Sequence, residues 1–588
     1  MSASTPAPGS STSARAAALI LDAFLDYNAR FADITRRAKR WFEHGNWRQA
    51  QIDTVWRMDL YDECLVETLA RLEMLLDDRI RARALWAAMR NDYEALVAPL
   101  LDRELFKTFF NSLSRRFFRI SGVAPDIEFV ALDAGPTDNV STPIARNAYV
   151  VEGDLVALCT RMLGDYAFAR GYADIGASGS AIADALATRF ATPGGHGLYR
   201  IELLRTLFFR ERRAYLVGRA LVGRAAAGAT WIPLVIALVN DDGIRADAVL
   251  TEIAHVSPLF GFSRSYFLAD LPSVADVVVF LHDLLPHKPL GELYTVLGRA
   301  KQGKTERYRA LFHHLAQRPD EKLVRADGAR GMVMAVFTPV DYPIVFKVIR
   351  DQFAYPKDSA RRTVEEKYRL VFRYDRVGRL VDAQEFRYLR FPRRQIDDDL
   401  ANELIEQCAE AVCVDGDDLL VRHCYVERRL RPLNLHARES DFDTAREAVL
   451  DYGQAIKDLA LSNIFPGDLL LKNFGVTSRG RAIFYDYDEL CLVEQCRFRK
   501  VPEAHADDET RPLDEWLSAR HDDVFPELFK GFLGLPASLR DALLAAHPEV
   551  FDPAWWNDVR SRIVAGELTD VPPYPSSARV RDRRHASR

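Results

Sequence analysis

The chain has 588 residues, and 79 basic against 84 acidic side chains leave a formal charge of −5. With 48% hydrophobic and 28% charged residues, it is neither collagenous nor disordered throughout, nor a strongly basic nucleic-acid binder. This length buries a large core without disulfides and, at roughly 150 residues per domain, predicts two to four domains.

Residues 1–15, rich in Ser, Thr, Ala and Pro, lack the basic start and apolar stretch of a secretory signal and are expected to be a disordered leader. A membrane span needs about 20 apolar residues in a row. The best runs, Trp231 to Val239 and Val277 to Leu281, are shorter and read as buried strands or helix faces, so no membrane partner is expected. The seven cysteines form no Cys-x-x-Cys pair, which points to reduced thiols and a cytoplasmic protein. Cys491 and Cys496 have no neighbouring His to complete a zinc site and read as small buried hydrophobes.

Helical spacing dominates the first 320 residues. Ile20, Leu21, Phe24, Leu25, Phe31 and Ile34 recur on one face of the segment Ala16 to Trp41, and Thr54 to Leu76 and Ala82 to Phe110 continue in that manner. Few segments alternate with period two, so residues 16–320 are expected to form a mostly α-helical domain. His313-His314 reads as surface or packing, because adjacent helical positions diverge.

The texture changes near Pro319. Met332 to Thr338 and Tyr342 to Ile349 are β-rich runs joined by Pro339-Val340-Asp341, a hairpin signal. Thr363 to Phe372 reads as a helix, Leu419 to Arg428 as a strand, Phe442 to Ser462 as a helix and Arg481 to Asp486 as a short strand. Leu513 to Val564 is helical again, Pro502 to Phe525 is a polar loop or a partner surface, and 579–588, with five arginines, is a frayed basic tail. The predicted class is therefore α+β, with a catalytic domain over 321–578.

The chemistry gathers in that second part. Ala326-Asp327-Gly328-Ala329-Arg330-Gly331-Met332 places two glycines before a β run, where backbone N–H groups can approach phosphate oxygens. Lys347 follows Gly331 by sixteen residues inside an apolar strand, where burial is costly without a partner. In protein kinases such a strand lysine grips the nucleotide phosphates and is held by a helix glutamate, here Glu365 or Glu366. Asp468 and Asn473 have the Asp-x4-Asn spacing of a kinase catalytic loop, and Asp486 closes a strand thirteen residues later, where a kinase places its metal-binding Asp. Oxygen donors of this kind suit Mg²⁺. Any one of these residues has an ordinary structural explanation as a turn, cap or edge-strand side chain. The ordered series does not.

Three departures separate the chain from ordinary protein kinases: Phe-Pro-Gly-Asp468 for His-Arg-Asp, Asp486-Tyr-Asp for Asp-Phe-Gly, and no following Ala-Pro-Glu. Arg330-Gly-Met-Val-Met, Val345-Phe-Lys-Val-Ile, Tyr374-Asp-Arg-Val-Gly-Arg379, Asn463-Ile-Phe-Pro-Gly-Asp468, Lys472-Asn-Phe-Gly-Val476 and Phe484-Tyr-Asp-Tyr-Asp-Glu489 are more specific. On these motifs the chain resembles the bacterial isocitrate dehydrogenase kinase/phosphatase family. The resemblance implies a protein-kinase-like bilobal catalytic domain behind a helical regulatory domain. It implies a bifunctional enzyme that phosphorylates and dephosphorylates a serine of isocitrate dehydrogenase with ATP/ADP and Mg²⁺ at one site, with an ATPase activity. This controls entry to the glyoxylate bypass, with AMP and central metabolites as effectors. By matching positions, Ala326 to Met332 form the nucleotide loop, Lys347 the ATP lysine, Asp468 a catalytic residue, and Asn473 and Asp486 the metal ligands. Asp382, in Arg379-Leu-Val-Asp382, falls where the family has an active-site aspartate, although its neighbours differ from the usual Met-Ala-Asp-Thr. Asp327 stands where relatives often have Pro, and a carboxylate beside phosphates is unfavourable unless it faces away. Two other readings compete: an aminoglycoside-type small-molecule phosphotransferase, and a catalytically dead nucleotide-binding module.

Overall fold

The structure, a computed structural model, describes residues 11–120, 124–130, 144–192, 195–223, 228–261, 266–353, 361–374, 376–502 and 520–580. These divide into two compact units. One comprises residues up to 261, those from 266 to 317 and those from 573 onward; the other is 318–572. The residues from 573 to 578, expected in the catalytic domain, thus belong with the N-terminal unit.

In the first unit, a helix spans Thr12–His44. The Ser11 hydroxyl accepts from the Ala14 amide at 3.1 Å, and Gly45 ends the helix in the left-handed region at φ 63°. Residues 12–15, expected in the leader, are therefore helix, because a good cap precedes an alanine-rich turn; residues 1–10 of that expected leader lie outside the described residues. Helices Trp47–Leu76, Arg83–Val97 and Arg103–Phe118 follow. Phe24, Phe106 and Phe109 pack in this layer, with ring centroids 4.7 and 4.8 Å from Phe24.

The larger correction is a six-stranded antiparallel sheet in this unit. Arg146–Val150, Leu198–Leu204, Arg213–Val222, Thr230–Asn240 and Ile244–Leu250 pair in that order, with Phe208–Arg210 added to Arg213–Val222. Tyr215, Val217, Val235 and Ala237 face one core, while Ala214, Leu216, Leu234 and Ile236 face another. A sheet with apolar cover on both faces shows no polar alternation, so its strands carry no period-two signal. The Trp231 run is strand, and the Val277 run lies in helix Val274–Leu284.

The C-terminal segment returns to this sheet. Tyr574 donates to Asp247 at 2.5 Å, Arg579 forks onto the other oxygen of that carboxylate at 3.0 and 2.7 Å, and the Val580 amide reaches the Asp247 carbonyl at 2.8 Å. Buried Arg213 lies 3.6 Å from the same carboxylate. Arg579 is accordingly docked rather than frayed; 581–588 lie outside the described residues.

The second unit starts with a five-stranded antiparallel sheet in the order Gln384–Phe386, Cys424–Arg428, Ile344–Ile349, Met334–Pro339, Leu323–Arg325. The expected hairpin is present, with Val336 opposite Lys347. The expected strand over 419–428 is two, Asp418–Val421 and Cys424–Arg428, which join different sheets. Helix Arg361–Tyr374 follows the hairpin. Helix Phe442–Leu461 buries Ala448, Val449, Ala455 and Leu459 in a core shared with Phe474, Phe484 and Trp556. Helices Ala537–Ala546 and Pro553–Val564 lie in the expected helical tail; most of its preceding loop, 503–519, lies outside the described residues. Among the described residues no helix is long and apolar enough to cross a membrane.

Candidate active site

A cleft of about 870 Å³ in the second unit is lined by Ala326 to Met332, Lys347, Asp468, Asn473 and Asp486, so residues far apart in the chain meet around one space. Asp382 is not among its lining residues. It takes a hydrogen bond from Gln384 at 3.0 Å, and its charge reaches Glu427 in the wall of the cleft.

Lys347 is held by a strand, not by the helix. Its ammonium lies 2.8 Å from Glu427 and donates to the Tyr485 carbonyl at 2.6 Å. The partner expected on helix Arg361–Tyr374 is a correction: Glu365 turns to Arg369 at 3.4 Å and Glu366 to Arg362 at 3.0 Å, each one helical turn along the same surface. Glu427 is nearer because its strand pairs with the lysine strand, with Val345 opposite Glu427 and Lys347 opposite Tyr425. An acidic residue inside the apolar run Cys424-Tyr-Val-Glu427 is the same signal that singled out Lys347 and marks a buried charge in need of a partner, but the identity of that partner follows only from the strand pairing. Burial pushes the Glu427 carboxyl up; the Lys347 charge opposes this, and Asp486 and Asp382 add to it.

The glycine loop is tied down by arginines. Glu403, on helix Asp398–Gln407, binds Arg325 at 2.5 Å, Arg330 at 3.0 Å and Arg350 at 2.6 Å. Arg350 also donates to the Gly331 carbonyl at 3.2 Å. This anchor was not foreseen, because nothing in the spacing of three arginines and a glutamate marks them as neighbours. Asp327 meets Arg431 at 2.6 Å, which neutralises the carboxylate that looked unfavourable beside phosphates.

Asp468 follows strand Ile464–Phe465, which pairs with Cys491–Leu492. Between them Gly467 sits at φ 81°, and a Cβ there would come within 2.5 Å of the Glu489 carbonyl oxygen. Only glycine fits such a turn without displacement. The Asp468 carboxylate accepts from the Leu470 amide at 3.1 Å, and its backbone carbonyl accepts from the Asn473 side chain at 3.3 Å. Burial pushes the Asp468 carboxyl up, with Glu489 and Asp486 adding to the shift and the Leu470 amide and Lys472 opposing it. The short strands Phe474–Val476 and Ala482–Phe484 pair and carry Asn473 and Asp486 at their ends.

Among the described residues no group of three or more His, Cys, Asp or Glu is arranged to hold a metal alone. The cleft instead offers the Asp486 carboxylate, the Asn473 side chain and Glu427, whose Oε1 is buried without a hydrogen-bond partner. That oxygen-rich set fits Mg²⁺, which commonly takes one or two carboxylates and completes its shell with phosphate and water. With a cationic lysine facing it and a glycine loop at the rim, the arrangement suits phosphoryl transfer, in which proteins position groups and stabilise charge.

Comparison with known proteins agrees along the chain. The family model for the isocitrate dehydrogenase kinase/phosphatase (AceK) regulatory domain matches residues 17–319, and that for the kinase domain of the same family matches 321–576. The chain is 52% identical over 563 residues to isocitrate dehydrogenase kinase/phosphatase of Xanthomonas euvesicatoria pv. vesicatoria, covering 95% of this chain and 96% of the relative. It is 42% identical over 569 residues to the protein of the same name from Anaeromyxobacter sp. strain Fw109-5, covering 96% and 98%.

Proposed function

Because the chain belongs to the isocitrate dehydrogenase kinase/phosphatase family, we propose that it is the bifunctional enzyme that phosphorylates and dephosphorylates isocitrate dehydrogenase. The finer reading is that one site uses ATP/ADP and Mg²⁺ on a serine of that partner, hydrolyses ATP as a side activity, and controls entry to the glyoxylate bypass in the cytoplasm. AMP and central metabolites are the effectors of this reading, and the second unit is the bilobal kinase-like body. The observation that carries it is the convergence of Lys347, Asp468, Asn473 and Asp486 on one cleft beside the glycine loop. An aminoglycoside-type enzyme has no need of the first unit, most of which is matched by the regulatory family model over residues 17–319.

In this mechanism the backbone of 326–332 cradles phosphate, and the Glu403 anchor keeps that loop in place. Lys347, fixed between Glu427 and the Tyr485 carbonyl, offers its positive charge to the phosphate oxygens. Asn473 and Asp486 would hold Mg²⁺, which supplies charge neutralisation where negative charge accumulates. Asp468 orients the serine hydroxyl and takes its proton late, since a loose transition state asks for little early proton removal. Gly467 sets the angle of that carboxylate. For the reverse direction, Asp382 would orient the water that attacks phosphoserine, from a position whose field already reaches Glu427.

The test is purified full-length chain with γ-labelled ATP, Mg²⁺ and isocitrate dehydrogenase, followed by an ADP chase. Label that enters the dehydrogenase and leaves on the chase is the expected result. Label confined to small molecules, or none, overturns the proposal. Asp382→Asn assayed in both directions should lose dephosphorylation first; full retention of both would remove Asp382 from the mechanism.

A further inference from the structure

Two thiols lie beside the catalytic loop and take no part in the chemistry above. The Cys491 and Cys496 sulfurs are 3.5 Å apart, across the single turn Val493–Gln495. Cys496 is buried and also approaches the Leu492 carbonyl at 3.5 Å, while Cys491 is half-buried. The Lys367 ammonium donates to the Leu490 carbonyl at 2.6 Å, which sets a positive charge next to Cys491.

The two thiols differ from each other. The Cys491 thiol is held below its ordinary value, first by the Cys496 hydrogen bond and then by the Lys367 charge, against the effect of burial. Cys496 is pushed up, by the hydrogen bond to Cys491 and by burial. An acidic, partly accessible thiol with a second thiol at contact distance is the arrangement of an attacking and a resolving cysteine. Burial is the main influence on Cys159, Cys408 and Cys64 and raises all three, Cys159 and Cys408 each to about 12.

We propose that Cys491 and Cys496 form a redox-modification site that closes to an intramolecular disulfide by exchange with a small disulfide such as oxidised glutathione, and that closure alters the Asp468 loop. The Cys491 thiolate attacks one glutathione sulfur, the glutathione S–S bond breaks and one glutathione leaves. The Cys496 sulfur then attacks Cys491 in the mixed disulfide and expels the second. The two protons lost by the cysteines end on the two released glutathiones, so two protein thiols are oxidised and one small disulfide is reduced.

The route to the loop is short. Cys491 pairs directly with Phe465. The Asn463 side chain accepts from the Glu494 amide at 3.1 Å, and the Val493 amide donates to the Asn463 carbonyl at 3.3 Å. Gly467 packs against Glu489, two residues before Cys491, so closely that a Cβ there would lie 2.5 Å from the Glu489 carbonyl oxygen. Drawing the two sulfurs together therefore moves a segment bonded to Asn463 and paired with Phe465, three residues before Asp468. Misplacement of a catalytic group by about 1 Å can cost on the order of 100-fold in rate.

The effect on turnover rests on the transfer function proposed above, whereas disulfide formation is read by mass and stands apart from it. Reduced full-length chain is equilibrated in graded mixtures of reduced and oxidised glutathione, trapped by alkylation and mapped by mass spectrometry, with ATP turnover measured on the same samples. A 491–496 linkage is expected to form before any of the other five cysteines reacts. Turnover should fall by roughly tenfold or more and recover with dithiothreitol. Cys496→Ser, or Cys496→Ala if serine unfolds that buried position, should instead accumulate glutathione on Cys491. Reaction of other cysteines with no 491–496 linkage overturns the site; a complete linkage with unchanged turnover overturns its coupling to the loop. A reduced chain without turnover but with the linkage on oxidation would count against the transfer function alone.

Discussion

Lys347 and Glu427 are a buried pair, with side chains 8% and 1% exposed and 2.8 Å apart. Removing one member of such a pair costs about 3–5 kcal/mol when it strands the other charge. In Lys347→Met the survivor is a carboxylate, and a carboxylate can escape by taking up a proton. Both opposing influences from Lys347 vanish, while burial, Asp486 and Asp382 keep pushing the Glu427 carboxyl up. Its folded value then stands well above its unfolded one. Between the two the native state binds the extra proton, so stability falls as pH rises through that window. Near pH 5 the variant should lose only its packing and the unmatched Tyr485 carbonyl, roughly 1–3 kcal/mol. Near pH 8 the stranded charge brings the loss to about 3–5 kcal/mol. Urea unfolding followed by tryptophan fluorescence at both pH values measures this. The double variant Lys347→Met/Glu427→Gln should remove the pH dependence. A Lys347→Met loss of equal size at both pH values would refute the pairing and its electrostatics.

Three further outcomes are expected. Asp468→Asn should lower phosphate transfer to isocitrate dehydrogenase by about 10²–10⁴ with nucleotide affinity retained, and the wild-type acid limb should lie above the ordinary carboxylate range because the Asp468 carboxyl is raised; a limb near 3.9 would contradict this. Gly467→Ala should destabilise the chain by roughly 1–3 kcal/mol and slow transfer, since its φ of 81° and the Glu489 carbonyl leave no place for a methyl group; wild-type turnover and melting would show that the loop yields freely. Burial raises the Asp247 carboxyl, but hydrogen bonds from Tyr574 and Arg579 and the nearby guanidinium charges outweigh it and hold it low. The stability this carries is complete above the unfolded carboxylate value and is lost as pH falls through the folded one. Asp247→Asn, which removes the negative charge beside buried Arg213 while the Tyr574 hydroxyl still accepts from it, should therefore cost about 1–3 kcal/mol near neutral pH and flatten the acid limb of the stability profile; unchanged unfolding would show the cluster to be dispensable.

That Lys347, Asp468, Asn473 and Asp486 meet around one cleft was readable from the chain, because Lys347 lies within a strand and the other three lie beside strand ends that fix their spacing. What escaped depends on pairing between distant strands. Glu427 reaches Lys347 only because Cys424–Arg428 lies alongside Ile344–Ile349, and the helix glutamates were chosen by sequence proximity that the sheet overrides. Glu403 gathers three arginines from different elements, a meeting that no local pattern encodes. In the first unit the helices follow from their apolar spacing, whereas the sheet does not: Leu216 and Val217 are both buried, on opposite faces, so alternation between cores looks like a uniform apolar run. The thiol pair likewise depends on a turn, which brings together positions that read singly as buried hydrophobes.

The Tyr574 and Arg579 contacts to Asp247 make the first unit discontinuous in the chain, with the whole of 318–572 inserted before its last segment. During synthesis, Arg213 and Asp247 emerge from the ribosome long before the groups that complete their cluster. The nascent N-terminal body must therefore wait, with a buried charge cluster unfinished, until the catalytic insert has been made. A fragment cut at residue 317 would keep that unfinished state permanently, so expressing the N-terminal body alone calls for residues 573–580 grafted back on by a linker.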